Sequence, residues 1–161
     1  MRIRCAYDLG SESTKRKQPG ATRRAFAGDW FHSGDLARFD EEGYLWLVDR
    51  KKDMIVSGGE NVYPAEVERA LLDYPAVADA AVIGVPHPRW VETPVAFVVP
   101  SPSGEPAGES DLIAHCRRYL AGYKKPSAII VVEELPRAAA GKVLKLRLRE
   151  TYSDQFSAVT E

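Results

Sequence analysis

The spacing of apolar residues along the chain predicts strands alternating with helices. Short runs rich in aromatic and β-branched residues, at 44–48 and 54–56, predict two strands on either side of a charged turn. Longer apolar runs at 77–85 and 93–99, and a shorter one at 128–132, predict further strands. A hairpin followed by strands and helices in mixed order indicates an α+β domain with a small mixed β-sheet, an N-terminal β-hairpin and about three flanking helices.

Three segments have the spacing of amphipathic helices. The first begins near Pro64 and ends before Pro75, because proline suits the first turn of a helix but cannot continue one. The second covers 111–121 and is predicted to end at Gly122, and the third is the basic segment 141–152. The predicted buried faces consist of Val67, Ala70, Leu71 and Tyr74 in the first helix, Leu112, Cys116, Tyr119 and Leu120 in the second, and Leu144 and Leu148 in the third.

Composition and charge exclude several classes of function. With 22 Lys and Arg against 23 Asp and Glu, the formal net charge is −1, so no overall field favours nucleic acid or an anionic membrane. No apolar run approaches the length of a transmembrane helix, and the first residues lack the apolar core of a secretory signal. Two cysteines and three scattered histidines predict neither a disulfide framework nor a metal site, and they fit a reduced cytoplasm.

A few polar residues and glycines have the chemistry to bind a nucleotide and a narrow ligand. The carboxylate of Asp35 can accept hydrogen bonds from two hydroxyls, and the guanidinium of Arg50 offers a planar fork of donors. Gly58 and Gly59 allow a narrow ligand to approach the backbone closely. Lys142 follows a flexible glycine and is a mobile positive charge that could meet an anionic reaction centre.

The order and spacing of these residues resemble the C-terminal domain of the adenylate-forming superfamily, which includes acyl-CoA synthetases, firefly-type luciferases and the adenylation domains of peptide synthetases. The acyl-CoA ligase branch is the most similar. The resemblance is carried by SGD at 33–35, DRKKDMIVSGGENVYPAEVE at 49–68 and GK at 141–142, within a match over about 19–150. It implies the end of a large N-terminal domain and the junction at 1–35, a C-terminal lid domain at 36–152 and a tail at 153–161.

The resemblance implies a role in adenylation for four residues. Asp35 and Arg50 would bind the nucleotide, Asp35 through the ribose hydroxyls. Lys52 would be the hinge about which the lid rotates, and Lys142 would be the catalytic lysine that meets the carboxylate and the α-phosphate. The structural alternatives are a simple turn at Gly34 and Asp35, and a charged hairpin tip around Arg50 and Lys52.

The resemblance also implies a path for CoA. Gly58, Gly59 and Glu60 match the loop that lines the pantetheine tunnel, and Trp90 is similar to the tryptophan of a Trp-Gly-Glu element beside that tunnel. Val91 replaces the glycine of this element. The structural alternatives are two glycines serving a strand-to-helix turn and a tryptophan in the core.

The segment after the second predicted helix resembles one that lies near the CoA nucleotide in CoA ligases. Tyr123 could stack on the adenine, and Lys124 or Lys125 could contact a phosphate. A solvated charged loop after a helix is the structural alternative.

The function that the resemblance implies is that of an ATP-dependent, AMP-forming acyl-CoA synthetase, which converts a carboxylic acid, ATP and CoA into acyl-CoA, AMP and pyrophosphate. The phosphate loop, the acid pocket and the glutamate that positions Mg²⁺ belong to the large N-terminal domain, so this chain alone is expected to be inactive. One alternative is an adenylation domain that loads the phosphopantetheine of a carrier protein. Another is a standalone, non-catalytic module that binds nucleotide or CoA, or docks on a separate large subunit.

Overall fold

The computed structural model describes residues 20, 25–27, 30–102 and 107–152 of the chain. The chain divides into two compact units, and the boundary falls between Lys52 and Asp53. Most of the segment 1–35 predicted to end a larger domain, and the predicted tail at 153–161, lie outside the described residues.

The first unit contains two small antiparallel strand pairs. They are β1 (Phe26–Ala27) with β2 (Trp30–Phe31), and β3 (Asp35–Phe39) with β4 (Leu45–Arg50). Asp40 organises the turn between β3 and β4, because its carboxylate accepts hydrogen bonds from the backbone N–H of Tyr44 at 2.8 Å and from the indole N–H of Trp46 at 2.6 Å. The hydrogen bond from Trp46 is the main reason that the pKa of Asp40 lies below its ordinary value.

An N-terminal hairpin forms, but the predicted pairing of the strands at 44–48 and 54–56 with each other is wrong. The strands expected at 44–48 and 54–56 form, yet the first pairs with β3 and the second joins the sheet of the second unit. The turn chemistry explains the difference. The segment 40–43 combines the hydrogen-bonding aspartate Asp40 with Gly43, whose φ of +87° is unfavourable for other residues, whereas the charged segment 49–53 contains no glycine.

The second unit is built on a five-stranded mixed sheet. Its strands are β5 (Ile55–Ser57), β6 (Glu60–Val62), β7 (Val77–His87), β8 (Val91–Pro100) and β9 (Ala128–Val131). The order is β6-β5-β8-β7, all antiparallel, and β9 pairs in parallel with β8. Strand β7 therefore lies at an edge of the sheet. Strand β6 was not predicted from the sequence.

Helices cover both faces of this sheet. The described residues of the second unit include α1 (Pro64–Leu72), α2 (Glu109–Tyr119), a 3₁₀ turn (Gly122–Lys124) and α3 (Lys145–Thr151). One core cluster joins α1 and α2 to Val82 and Val98, and the other joins Leu148 of α3 to Ile83 and Phe97. Since successive strand residues point to opposite faces, the two clusters lie on opposite sides of the sheet. No helix among the described residues is long and apolar enough to cross a bilayer.

The predicted inner faces of α1 and α3 are buried, except that Tyr74 and Leu144 are half-buried and lie just outside these helices. In α2, Leu112, Cys116 and Leu120 are buried, but Tyr119 is 68% exposed and contacts the His115 ring. These three buried residues are spaced by four and already form the inner stripe, which leaves Tyr119 at its border. The helix also ends at Tyr119 rather than at the predicted Gly122, which instead begins the 3₁₀ turn.

Polar side chains form hydrogen bonds with backbone groups along the free edge of β7. Glu68 of α1 accepts a hydrogen bond from the N–H of Val82 at 2.8 Å and forms an ion pair with Lys145 of α3 at 2.8 Å. Asp79 accepts from the N–H of Ala80 at 2.9 Å. The helices on the two faces of the sheet are thus connected around this edge through Glu68 and Lys145.

Candidate functional site

The two residues predicted to bind a nucleotide are cross-strand neighbours. Asp35 on β3 lies directly opposite Arg50 on β4, and Arg50 Nε is 3.7 Å from Asp35 Oδ1. Gly34 precedes Asp35 with a φ of +81°, and its carbonyl accepts the N–H of Lys51, which fixes this end of the strand pair. Both side chains remain partly accessible, so the carboxylate retains free oxygen lone pairs beside a fork of donors.

Lys52 lies where the chain passes from one compact unit to the next. Its side chain is exposed, and it is part of a turn between β4 and β5. A hinge residue must absorb a large change in backbone dihedral angles, and an exposed turn residue at a unit boundary is suited to that. The hinge role stays a prediction.

The two adjacent glycines form the turn of the β5–β6 hairpin. Gly58 and Gly59 have φ values of +60° and +88°, and Ser57 pairs with Glu60 across the turn. Two central residues with positive φ define a two-residue type I′ hairpin, which strongly favours Gly or Asn. The turn therefore joins two strands, rather than a strand to a helix as the sequence suggested. A Cβ atom on Gly59 would meet no atom within 4 Å, so the space over it is open.

Trp90 lies beside this turn and is not a core residue. Its side chain is 41% exposed, and its carbonyl accepts the N–H of Gly58 at 2.9 Å. Its ring stacks on His87 with a centroid distance of 4.5 Å and an angle of 11°. Nδ1 of His87 accepts the backbone N–H of Arg89 and of Trp90, at 3.1 and 3.2 Å. His87 was not predicted as a site residue, and its position three residues before Trp90 was the available signal.

Val91 has a backbone conformation that is normally reserved for glycine. Its φ is +70°, and its side chain is 69% exposed. The next residue, Glu92, points inward, where its carboxylate accepts the N–H of Val56 at 3.0 Å and lies over Gly84. A Cβ on Gly84 would be only 3.2 Å from the Glu92 carboxyl carbon. The backbone at 90–92 thus directs Trp90 outward and Glu92 into the sheet.

The residues predicted near a CoA nucleotide have different surroundings. Nζ of Lys124 is 2.8 Å from both carboxylate oxygens of Glu66 on α1, and these hydrogen bonds raise the pKa of Lys124. Lys124 is therefore engaged by a structural ion pair. Tyr123 is 43% exposed, and Lys125 is half-buried with no ion-pair partner in the described part of the chain. A CoA contact by any of the three stays a prediction.

Lys142 lies in a tight loop immediately before α3. Arg137 and Val143 form a bridge across the base of the loop, and Gly141 has a φ of +79°. The Lys142 side chain is exposed, and within the described residues its ammonium has no ion-pair partner. Among the described residues no three His, Cys, Asp or Glu side chains are grouped so as to hold a metal ion.

The small mixed α+β domain matches the C-terminal domains of adenylate-forming enzymes in solved structures. Residues 66–142 match the family described as the AMP-binding enzyme C-terminal domain. The chain therefore contains an AMP-binding enzyme C-terminal domain, and the curated relatives that it matches are CoA ligases.

Two of the similar proteins are named as CoA ligases or synthetases of different acids. The long-chain-fatty-acid–CoA ligase FadD13 of Mycobacterium tuberculosis is 47% identical over 136 residues, which are 84% of this chain and 27% of FadD13. The structure of o-succinylbenzoate CoA synthetase (MenE) from Bacillus subtilis in complex with the acyl-adenylate OSB-AMP superposes with a TM-score of 0.76 at 41% identity, over 83% of this chain and 27% of that chain. The structure of ATP-bound MatB from Rhodopseudomonas palustris has a TM-score of 0.79 at 40% identity, over 87% of this chain and 28% of that chain. The chain thus spans about a quarter of the length of the proteins that it matches.

Proposed function

We propose that the protein carrying this chain is an ATP-dependent, AMP-forming acyl-CoA ligase, and that this chain supplies its C-terminal lid. The observation that carries the proposal is the exposed Lys142, which follows a glycine with positive φ and has no acidic partner among the described residues. A lysine without a partner on a tight loop is available to meet a negatively charged substrate.

Lys142 serves the first half-reaction in this proposal. A carboxylate oxygen of the acid forms a bond to the α-phosphorus of ATP, the bond from that phosphorus to the bridging oxygen breaks, and pyrophosphate leaves. The ammonium of Lys142 offsets the negative charge that accumulates around the α-phosphate. Asp35 and Arg50 hold the nucleotide, with the Asp35 carboxylate accepting hydrogen bonds from the ribose hydroxyls. Their placement opposite each other on β3 and β4 supports this shared role.

The hairpin turn and Trp90 serve the second half-reaction. The lid rotates about Lys52, after which the thiol sulfur of CoA loses its proton to solvent and attacks the acyl carbonyl carbon. The bond from that carbon to the phosphate oxygen breaks, and AMP leaves with the bonding electrons. The open space over Gly59 and the exposed ring of Trp90 beside Gly58 support a path for the narrow pantetheine arm, next to Glu60. Tyr123, with Lys125, is the more accessible candidate contact for the CoA nucleotide, because Lys124 is held by Glu66.

A large domain of the same protein completes the site in this proposal. Large apolar side chains are exposed in and beside β4, and such side chains are suited to contact with another surface. They are Tyr44, Trp46 and Leu47, which are 66%, 56% and 72% exposed. That domain would also bind the carboxylic acid and position Mg²⁺. FadD13 and MenE are named for different acids, so similarity in this region does not define the acid. The cytoplasmic location expected from the sequence stays a prediction.

The proposal is tested on the protein that contains this chain. Pyrophosphate release with ATP is measured over a panel of fatty, aryl and short dicarboxylic acids, and CoA is then added to measure thioester and AMP. Transfer to a carrier protein but not to CoA would instead favour an adenylation domain. Absence of pyrophosphate release with every acid would contradict the proposal.

The role of Lys142 is tested by separating the half-reactions. Lys142→Ala is expected to slow adenylate formation by about 10²–10³-fold, the usual effect of removing one stabilising group from the transition state. Thioester formation from supplied acyl-adenylate should be nearly unchanged. Arg147→Ala is the control, because it removes an exposed positive charge from the adjacent helix α3. Equal loss in both half-reactions would contradict the assignment.

A further inference from the structure

The loop that presents Lys142 is a three-residue hairpin loop. The N–H of Gly141 donates to the carbonyl of Ala138, and the N–H of Ala138 donates to the carbonyl of Lys142, each at 2.8 Å. Gly141 lies in the left-handed region with a φ of +79°. A turn followed by a left-handed residue is a common hairpin connection, and it requires glycine at that position in most sequences.

The loop itself contains no polar side chain that could hold it in place. Ala139 and Ala140 in the loop, and Ala138 at its base, have only methyl side chains, and Gly141 has no side chain. Loops with few contacts lie at the low end of local stability in proteins. A precise position for Lys142 therefore needs an anchor outside the loop.

Arg137 makes the connection that the loop residues cannot make. Its Nη1 donates to the carbonyl of Gly141 at 2.5 Å, and its Nη2 donates to the Asp79 carboxylate. The planar guanidinium can serve both acceptors at once, which a lysine ammonium on a flexible stem does less well. The Gly141 carbonyl belongs to the same peptide plane as the N–H of Lys142. Holding that carbonyl fixes the orientation of the Gly141–Lys142 peptide, and with it the direction in which the Lys142 side chain leaves the backbone.

Asp79 ties this arrangement to the sheet. It lies on β7 at a register shift between Val77 and Asp79, and its second oxygen accepts the N–H of Ala80 at 2.9 Å. On the other side of the loop, the N–H of Leu144 donates to the carbonyl of Pro136 at 2.7 Å. The loop is thus fixed at its base and, through Arg137, at its glycine.

We propose that Arg137 is a positioning residue for Lys142, with Asp79 as its anchor on the sheet. The proposal rests on the proposed function, because it gives Lys142 its task in adenylate formation. Arg137 contacts no substrate. Its role is to keep the Gly141–Lys142 peptide in one orientation, so that the ammonium is delivered to the α-phosphate without a search over loop conformations.

The first test needs only the 161-residue chain. The ¹⁵N heteronuclear NOE of the Gly141 and Lys142 amides is compared in the unsubstituted chain, in Arg137→Gln and in Arg137→Lys. Arg147→Gln is the matched control, because Arg147 is exposed and makes no ion pair in the described part of the chain. Lower NOE values at both amides are expected in the two Arg137 variants and not in the control. Unchanged values in Arg137→Gln would overturn the anchoring.

The second test uses the protein that contains this chain and has a readout that general destabilisation does not reproduce. Arg137→Gln is expected to lower kcat for adenylate formation by about 10- to 100-fold, as small misplacements of a reacting group do. Thioester formation from supplied acyl-adenylate should be retained. Arg137→Lys should not restore adenylation, because lysine keeps the positive charge but lacks the planar guanidinium that donates to both acceptors at once. Full activity of Arg137→Lys, or equal loss in both half-reactions, would overturn the positioning role.

The two tests separate this inference from the proposed function. A protein that forms no acyl-adenylate even when unsubstituted would refute the proposed function, while lower NOE values in Arg137→Gln would still support the anchoring of the loop. Active enzyme with Arg137→Gln as active as the unsubstituted protein would refute only the positioning role.

Discussion

Val91 on β8 lies opposite Ser57 on β5, and it takes part in this pairing with a φ of +70°. A β-branched residue in the left-handed region is strained, because its Cβ crowds the backbone. Val91 also stands where glycine is usual in the Trp-Gly-Glu element that this segment resembles. The pairing between β5 and β8 therefore forms at the expense of local strain in the backbone.

Val91→Gly is expected to stabilise the second unit. Relief of the left-handed strain is worth roughly 1–2 kcal/mol, and the greater freedom of glycine in the unfolded chain offsets about half of it, which leaves a gain of about 0.5–1 kcal/mol. Urea unfolding followed by circular dichroism measures the change. Val131→Gly in β9 is the matched control, since Val131 is also exposed and lies in a strand with ordinary φ, so it should lose stability. A loss in both variants would show that Val91 is not strained.

Gly59→Asn is expected to impair thioester formation without destroying the hairpin. Asparagine tolerates positive φ and is favoured in type I′ turns, so β5 and β6 should still pair. Its side chain would occupy the open space over Gly59 and narrow the path proposed for the pantetheine arm. Rates of thioester formation from acyl-adenylate and of adenylate formation are measured separately, and only the first should fall.

Gly43→Asn is the control for that experiment. Gly43 has a nearly equal φ of +87°, and a Cβ atom there would also meet no described residue within 4 Å, but it lies in the β3–β4 turn. It should leave thioester formation unchanged. A normal thioester rate in Gly59→Asn would argue against the tunnel assignment.

Cys116 is expected to resist alkylation in the folded chain. It is fully buried on the inner face of α2, and burial raises the pKa of its thiol to about 11. Since the thiolate is the reactive form, iodoacetamide at pH 8 should modify Cys116 in urea but hardly at all in buffer. Mass spectrometry on a Cys5→Ser chain isolates the signal of Cys116. Rapid labelling in buffer would show that α2 opens readily.

The Lys124–Glu66 ion pair is expected to weaken at high pH. The pKa of Lys124 is raised by its hydrogen bonds to Glu66, so the ion pair stabilises the folded state fully below 10.5 and is lost as pH rises through the higher folded value. Lys124→Met should cost about 0.5–1 kcal/mol at pH 8, as partly exposed pairs do. The stability difference between Lys124→Met and the unsubstituted chain should shrink above pH 10.5. Lys125→Met should show no such dependence, because Lys125 has no ion-pair partner among the residues that the structure describes.

The pattern of the sequence was sufficient for the long elements and for the order of the site residues. The apolar runs that became β7, β8 and β9 were recognised, because a buried strand needs little beyond a continuous apolar stretch. Strand β6 was missed, since it has three residues and two of them are exposed and polar. Its existence depends on the Gly58–Gly59 turn, whose strand-to-strand geometry the sequence did not reveal.

The contacts of individual side chains were the least predictable part of the site. Asp35 and Arg50 were assigned to one ligand from their types and spacing, but their register follows from the turn chemistry of Asp40 and Gly43. Lys124 and Glu66 are far apart in the sequence, and no local pattern indicates that they form an ion pair. The contact of Arg137 with Asp79 is hidden for the same reason.

The free edge of β7 bears on whether the domain associates with other molecules. Edge strands with unpaired N–H and C=O groups attract strands from other molecules. Here two N–H groups of this edge are hydrogen-bonded, that of Val82 to the Glu68 carboxylate and that of Ala80 to the Asp79 carboxylate. The carbonyl of Gly84 accepts a long hydrogen bond of 3.4 Å from Nε of Arg149. The same carboxylates that link α1 to α3 and anchor Arg137 therefore also protect this edge of the domain against strand addition and self-association.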